Sequence, residues 1–360
     1  MDSCYIHIPF CRSICSYCDF CKLLYNGPWV TKYLNALLLE INDRYHGEKI
    51  HTMYIGGGTP SILQGKDLRY LFDILNKIDL SEVEEFTFEC NLNDINEDML
   101  SILKENGVNR LSIGIESFDE KKLEFMERKH DFDDAKNKIE LCRKKGFDNI
   151  NVDLIYGIPG ETLKDLKKDI GLILKLEPDH ISTYSLIVED NTKISNNGVI
   201  PIPEELDASM YEMILDELDK KDYEHYEISN FAKKGKESKH NLKYWNNEEY
   251  YGFGLGAHGY VNGVRYQNTR SLTEYFEGKY ILSSELLSLE DKMYNEVMLG
   301  FRKMEGINLQ DFYNKYEINL QEAFNLRTAI KEKELIYEDG YIYINPDYIY
   351  VMNEILIKIL

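Results

Sequence analysis

Cys4-Tyr-Ile-His-Ile-Pro-Phe-Cys11-Arg-Ser-Ile-Cys15-Ser-Tyr-Cys18 opens the chain with an apolar run that feeds directly into a loop of cysteines. The run, Cys4–Ile8, predicts a strand. The thiols then follow its C-terminal end, where parallel α/β sheets place their chemistry. Three thiolates spaced C-x3-C-x2-C can each hold one iron of a cubane cluster and leave the fourth iron open. Of the 7 cysteines, Cys4, Cys11, Cys15, Cys18 and Cys21 crowd this end, while Cys90 and Cys142 stand alone. A disulfide framework would instead spread over a small secreted chain. A lone C-x2-C would read as a redox pair or half a zinc ribbon, but no second cysteine pair completes a ribbon and no second set makes a two-cluster ferredoxin. The loop therefore reads as an iron–sulfur site, and Cys4 as a small buried hydrophobe.

Outward from the loop, short apolar runs alternate with amphipathic stretches. Lys49–Ile55, Glu85–Cys90, Arg110–Ile115, Asn151–Ile155 and His180–Leu186 predict further strands. Val30–Tyr45, Asp98–Glu105, Asp133–Lys145 and Leu163–Leu176 predict helices; in the first, Tyr33, Leu34, Leu37, Leu38 and Ile41 recur at helical steps. Gly107 and Gly146 stand where helix C-termini should be. Six β-then-α units predict a parallel sheet, either curled into a barrel or doubly wound. The pattern weakens after residue 190. Lys193–Pro203 reads as a connector, Glu204–Asp222 as an acidic helix and 223–284 as an irregular extension. Residues 285–360 read as helices, a hairpin over Leu335–Ile344 turning at Asp339-Gly340, and a last helix over Tyr348–Ile359. The expected boundaries are thus 1–222, 223–284 and 285–360.

A chain of 360 residues exceeds one small core, and 43% hydrophobic with 29% charged residues excludes a mostly disordered protein. Lys and Arg total 42 against 63 acidic residues, a formal net charge of −21. Such a surface repels phosphate backbones, which argues against nucleic-acid binding. The winged-helix-like end is acidic too, with 14 acidic against 8 basic residues over 285–360. No apolar run approaches the roughly 18 residues of a transmembrane helix, and the start lacks a signal-peptide pattern. The expectation is a soluble, cytoplasmic protein.

Ile55-Gly56-Gly57-Gly58-Thr59-Pro60-Ser61 lets backbone approach a ligand closely, although a tight strand-to-helix turn explains it equally well. Glu89, Glu116, Arg128 and Asp153 stand at or near predicted strand ends. They are either solvated charges or partners for a zwitterionic amino acid and a ribose diol. Gly254-Leu-Gly256-Ala-His-Gly259 satisfies G-x-G-x-x-G, but no clear strand precedes it and Tyr260–Tyr266 continues as a hairpin-like stretch instead of a helix, so a dinucleotide site is rejected.

Taken together, the cysteine loop resembles that of the radical S-adenosylmethionine (radical SAM) proteins. With Tyr5-Ile-His-Ile-Pro-Phe-Cys11, the chain resembles, over nearly its whole length, the group of oxygen-independent coproporphyrinogen III oxidases and heme chaperones. The resemblance implies a partial (β/α)6 TIM-like barrel with a smaller, mainly helical C-terminal domain. It implies that Cys11, Cys15 and Cys18 bind a [4Fe-4S] cluster whose open iron takes SAM. It places Tyr5, Tyr17, Gly57, Gly58, Thr59, Glu89, Arg128 and Asp153 among the cofactor-binding positions. Glu116 joins them as a departure, because the family usually carries glutamine there and a carboxylate cannot donate. The oxidases carry a further cysteine two residues after the third ligand; here Phe20 holds that place and Cys21 comes one later.

His240-Asn-Leu-Lys-Tyr244-Trp245 by composition alone is a packed turn. It also matches an H-N-x-x-Y-W segment that looks diagnostic of the chaperones, which implies that His240 ligates heme iron. Two functions follow from the resemblance. One is a heme chaperone that passes heme to acceptor apoproteins, membrane-associated ones included. The other is a coproporphyrinogen III oxidase that decarboxylates propionates through a 5′-deoxyadenosyl radical. The displaced cysteine and the lack of concentrated basic sequence to clamp several carboxylates favour the chaperone. A radical SAM enzyme that opens the heme ring is a third reading.

Overall fold

The computed structural model describes residues 2–360. The six expected strands are present, at Ser3–Ile8, Thr52–Gly57, Glu85–Asn91, Arg110–Glu116, Ile150–Tyr156 and His180–Ser185. They run parallel and pair in that order. Phe86, Phe88, Leu111, Ile113, Val152 and Leu154 are buried on the outward side, where the Phe72 ring of the Gly65–Leu75 helix meets Phe86. The alternate residues Glu89, Ser112, Asn151, Asp153 and Ser182 line a central cavity. Apolar residues on the outward side thus alternate along these strands with polar residues that face the cavity. A polar interior is what departs from a packed TIM barrel.

The expected helices appear as Gly27–Arg44, Glu97–Glu105, Phe132–Lys144 and Leu163–Leu174. Their starts are set by local chemistry. Asn26 and Asn96 cap the first two, and Asp131 and Thr162 form capping boxes for the others. Gly107 and Gly146 leave their helices with φ of 84° each, a conformation that suits glycine. The Gly65–Leu75 helix was not expected, and no side chain caps its start.

The segment 223–284 differs from the expected irregular extension. Glu224–Glu227 and Asn230–Ala232 form a hairpin on the His180–Ser185 strand, and Tyr251–Phe253 adds a parallel strand beside Ser3–Ile8, which makes a nine-stranded sheet. His258–Val261, Val264–Asn268 and Ile281–Leu286 form a separate antiparallel sheet. The first two of these contain the expected hairpin-like stretch Tyr260–Tyr266, while the three-residue strands Asn230–Ala232 and Tyr251–Phe253 are too short for a hydrophobic period to show. The 1–222 boundary therefore does not bound the sheet.

At the C-terminal end the Leu335–Glu338 and Tyr341–Ile344 hairpin turns at Asp339-Gly340, with φ of 50° and 84°. Positive φ at both positions is what this dipeptide accommodates. Ile307–Asn308 pairs with the second strand of this hairpin, and helices flank the three-stranded sheet so formed. The last helix begins as a 3-10 segment, Pro346–Val351, and becomes α-helical over Met352–Ile359.

Candidate functional site

The cysteine loop leaves the first strand and is bonded back to the structure at several points. Pro9 O and Cys11 O accept from Leu23 N at 2.7 Å and Tyr25 N at 2.8 Å. Ser16 Oγ donates to Phe125 O at 2.7 Å, and Arg12 Nε pairs with Asp94 at 2.8 Å. His7 fixes the far end of the loop. Its Nε2–H donates to Cys21 O at 2.7 Å, so Nδ1 accepts from the Tyr5 hydroxyl at 3.0 Å. Burial brings this imidazole down to about pKa 4, and it stays neutral. Sequence reading did not single out His7.

The glycine motif is packed from both sides. Gly56 and Gly57 end the second strand rather than follow it. A Cβ at Gly56 would lie 2.8 Å from Glu89 Oε1, and one at Gly57, whose φ is 121°, 2.7 Å from the His7 ring. A Cβ at Gly58 would lie 2.7 Å from the Pro9 backbone and 2.9 Å from Cys11 Sγ. Glycine thus lets the second strand reach both the loop and the Glu89 carboxylate. The same rule explains the decoy motif. A strand, Tyr251–Phe253, does precede it, but another strand and no helix follows. Cβ atoms at Gly254 and Gly256 would lie 2.5 Å from His7 O and 2.6 Å from Cys21 Cβ. Those glycines serve close packing on the cysteine loop.

Below the loop lies a cavity of about 680 Å³, lined by Cys11, Cys15, Cys18, Tyr17, Gly57, Gly58, Thr59, Glu89, Glu116, Arg128 and Asp153. That volume suits a drug-sized ligand. Glu89 accepts from the Tyr54 hydroxyl at 2.7 Å and from Gly57 N at 3.0 Å, while burial pushes its pKa up. Glu116 sits at a register shift in the fourth strand with φ of 69°, a strained value for a non-glycine residue. The shift delivers its carboxylate to Arg128 Nη2 at 2.8 Å, and Arg128 Nη1 donates to Gly114 O at 3.0 Å. The departure from glutamine is therefore matched by a guanidinium. Asp153 accepts from Asn151 Nδ2 at 2.8 Å; burial, reinforced by the Glu116 carboxylate, pushes it up to about 7.

Tyr5 does not line the cavity; its ring stacks on Tyr54 with centroids 6.0 Å apart. His240 does not line the cavity either. It is 0% exposed, under the N-terminal end of the barrel. Thr52 hydroxyl donates to Ser3 Oγ, so His240 Nδ1–H donates to Thr52 Oγ1 at 2.9 Å. That leaves Nε2 to accept from the Tyr244 hydroxyl at 2.8 Å. Both ring nitrogens are engaged, and burial drives the imidazole down to about pKa 3. In this conformation His240 presents no lone pair to iron. Tyr54 and Arg110, also missed in the sequence, line the cavity. The signal for Tyr54 was its place two residues before Gly56 on the same strand face.

Cys11, Cys15 and Cys18 all border the same cavity, so the donor set offers three thiols to one cluster, each for a different iron of a cubane. Burial pushes the Cys11 thiol up to about 11 and the Cys18 thiol upward as well. Cys21 does not line the cavity, and Cys4 is wholly buried.

Residues 5–173 match the family model described as Radical SAM superfamily, and residues 287–351 match the HemN C-terminal domain. Proteins named heme chaperone HemW are similar over most of their length. The one from Lactococcus lactis is 40% identical, covering 94% of this chain and 91% of its own. That from Bacillus subtilis is 41% identical, covering 94% and 93%, and that from Escherichia coli 32%, covering 86% and 85%. The solved structure of coproporphyrinogen III oxidase (HemN) from Escherichia coli superimposes with a TM-score of 0.87, over 99% of this chain and 89% of that one, at 20% identity. At that identity the likeness extends to the fold, a radical SAM barrel with a smaller C-terminal domain. The chain belongs to the radical SAM superfamily and, within it, to the HemW family.

Proposed function

We propose that this protein is a cytoplasmic heme chaperone that binds heme and passes it to acceptor apoproteins, membrane-associated ones included. The observation that carries this reading is the 40% and 41% identity, across more than nine-tenths of both chains, to relatives named heme chaperones. Cys11, Cys15 and Cys18 would hold a [4Fe-4S] cluster. Gly57, Gly58, Thr59, Glu89, Glu116, Arg128 and Asp153 would surround SAM, with Tyr17 packed against the Arg128 pair. Together the cluster and SAM supply one-electron reduction of a sulfonium. The chain's own residues shape that site: Glu89 is oriented by Tyr54 and Gly57, and Glu116 holds Arg128 in place. Among the described residues no helix is long and apolar enough to cross a membrane.

Glu89, Glu116 and Asp153 face the cavity together, and SAM carries a sulfonium and an ammonium. A cation beside Asp153 stabilises its charged form and lowers its pKa from about 7. SAM binding near neutral pH is therefore expected to release protons. Calorimetric titration in two buffers of different ionisation enthalpy should give different heats. Replacing Glu116 with glutamine removes the like charge, brings Asp153 down, and should shrink that difference. Equal heats in both buffers for the native chain would contradict this.

The functional reading is tested with anaerobically reconstituted protein. Saturable heme binding followed by transfer to apomyoglobin is expected. With SAM, reductant and coproporphyrinogen III, no decarboxylated product should form. Turnover to protoporphyrinogen, or failure to bind heme, would replace the chaperone with the oxidase.

A further inference from the structure

The cavity does not end at the residues that would surround SAM. Arg110 begins the fourth strand and lines it from below. Thr87 pairs with Arg110, and Gly114 pairs with Asp153. Arg110 thus lies four residues, about 13 Å along the strand, beneath the Asp153 level. The side chain is 2% exposed. Its Nε has no partner, and Nη1 reaches only Thr87 Oγ1, at 3.5 Å. Among the described residues, no carboxylate forms an ion pair with it. Glu89 feels its charge from farther away.

A guanidinium does not lose its proton in a protein, and a buried charge without a partner is costly. Arg128, the other guanidinium on the cavity, has both a carboxylate and a carbonyl. Arg110 has five donors in a fork that suits a carboxylate bidentately. At its level the cavity is bordered by Tyr54, with Asn151 two residues higher beside Ser112, while Asn241 comes from the helix under the barrel. These groups are neutral and complete a polar floor.

From this we infer that Arg110 is the receptor for a ligand carboxylate that enters the barrel from the cysteine-loop end. The carboxylate is a propionate of a tetrapyrrole, because the amino-acid end of SAM belongs with the cluster at the cysteine loop, well above Arg110; this rests on the chaperone reading.

Arg110→Met keeps the alkyl stem and removes the charge. In cluster-loaded protein without SAM or heme, the denaturation midpoint is expected to hold or rise, because an unpaired buried charge is gone. A guanidinium that served only as a structural countercharge would lower the midpoint when removed. Heme is compared with heme dimethyl ester. A tenfold or greater loss of affinity for heme, with the ester unchanged, assigns a propionate and supports the inference. A falling midpoint overturns it, as does a variant that binds heme and its ester like the native chain or loses both alike. Should the variant not fold, the native chain decides: no preference for heme over its ester overturns the inference. A native chain that binds no heme ends the chaperone reading, and coproporphyrinogen III against its tetramethyl ester then decides this one.

Discussion

Alanine at any one of Cys11, Cys15 or Cys18 is expected to abolish the iron–sulfur centre rather than weaken it. Each thiolate holds a separate iron, so losing one leaves two ligands for a cluster that already keeps one corner open. No neighbour can substitute. Cys21 packs against Gly256 and is tied through its carbonyl to His7, and Cys4 is enclosed in the core. Reconstituted native protein should carry about four irons and four sulfides per chain, and each variant close to none. Cys21→Ala should keep the full complement. The fold should survive in the variants, because half-exposed Cys15 and Cys18 contribute little packing. A native chain that binds one zinc, or a Cys11→Ala chain that retains its cluster, would end the assignment.

The second large effect concerns the seat of His240. Glu85 carboxylate accepts from Lys239 N and His240 N at 2.9 Å each and so holds the Lys239–Trp245 helix under the barrel. Tyr244 of the same motif occupies the Nε2 lone pair that iron would need. Ligation by His240 therefore requires this helix to leave its seat. The apparent heme affinity is then the intrinsic one reduced by the open fraction. Glu85→Gln keeps the shape but removes the charge from two hydrogen bonds worth roughly 1.5–3 kcal/mol each when charged. It should raise heme affinity about tenfold, measured by absorbance titration, since a shift of ~1.4 kcal/mol is tenfold. His240→Ala should lose the signal and also lower the unfolding midpoint, because a fully buried ring with two hydrogen bonds is removed. A titration unchanged in both variants would move heme ligation elsewhere.

Legibility followed locality. The six barrel strands could be read because buried apolar residues recur within each short segment, and the helices because their caps and periodicity lie within one turn. The acids at the strand ends could be placed near the cavity, since consecutive parallel strands bring their C-terminal ends together. Glu116 was flagged only as a departure; that it is matched by Arg128 depended on a register shift no spacing reveals. In 223–284 only the hairpin around Asn262-Gly263 could be read; strands such as Asn230–Ala232 and Tyr251–Phe253, three residues each, are too short to display a period of two against random alternation. Tyr251–Phe253 becomes a strand by pairing with Ser3–Ile8, far away in the chain.

By itself the sequence determined the order of the β-then-α units, the thiol loop at the end of the first strand, and the kind of cluster its spacing can hold. Those properties are set by neighbours in the chain, through hydrophobic period, cap chemistry and ligand spacing. The tertiary structure alone decided that His240 is closed off and that Arg110 is left without a counter-ion. Each depends on groups distant in sequence, Thr52 lying 188 residues from His240. Whether a buried polar atom has a partner is a property of packing, which brings such groups within hydrogen-bond reach or leaves them apart.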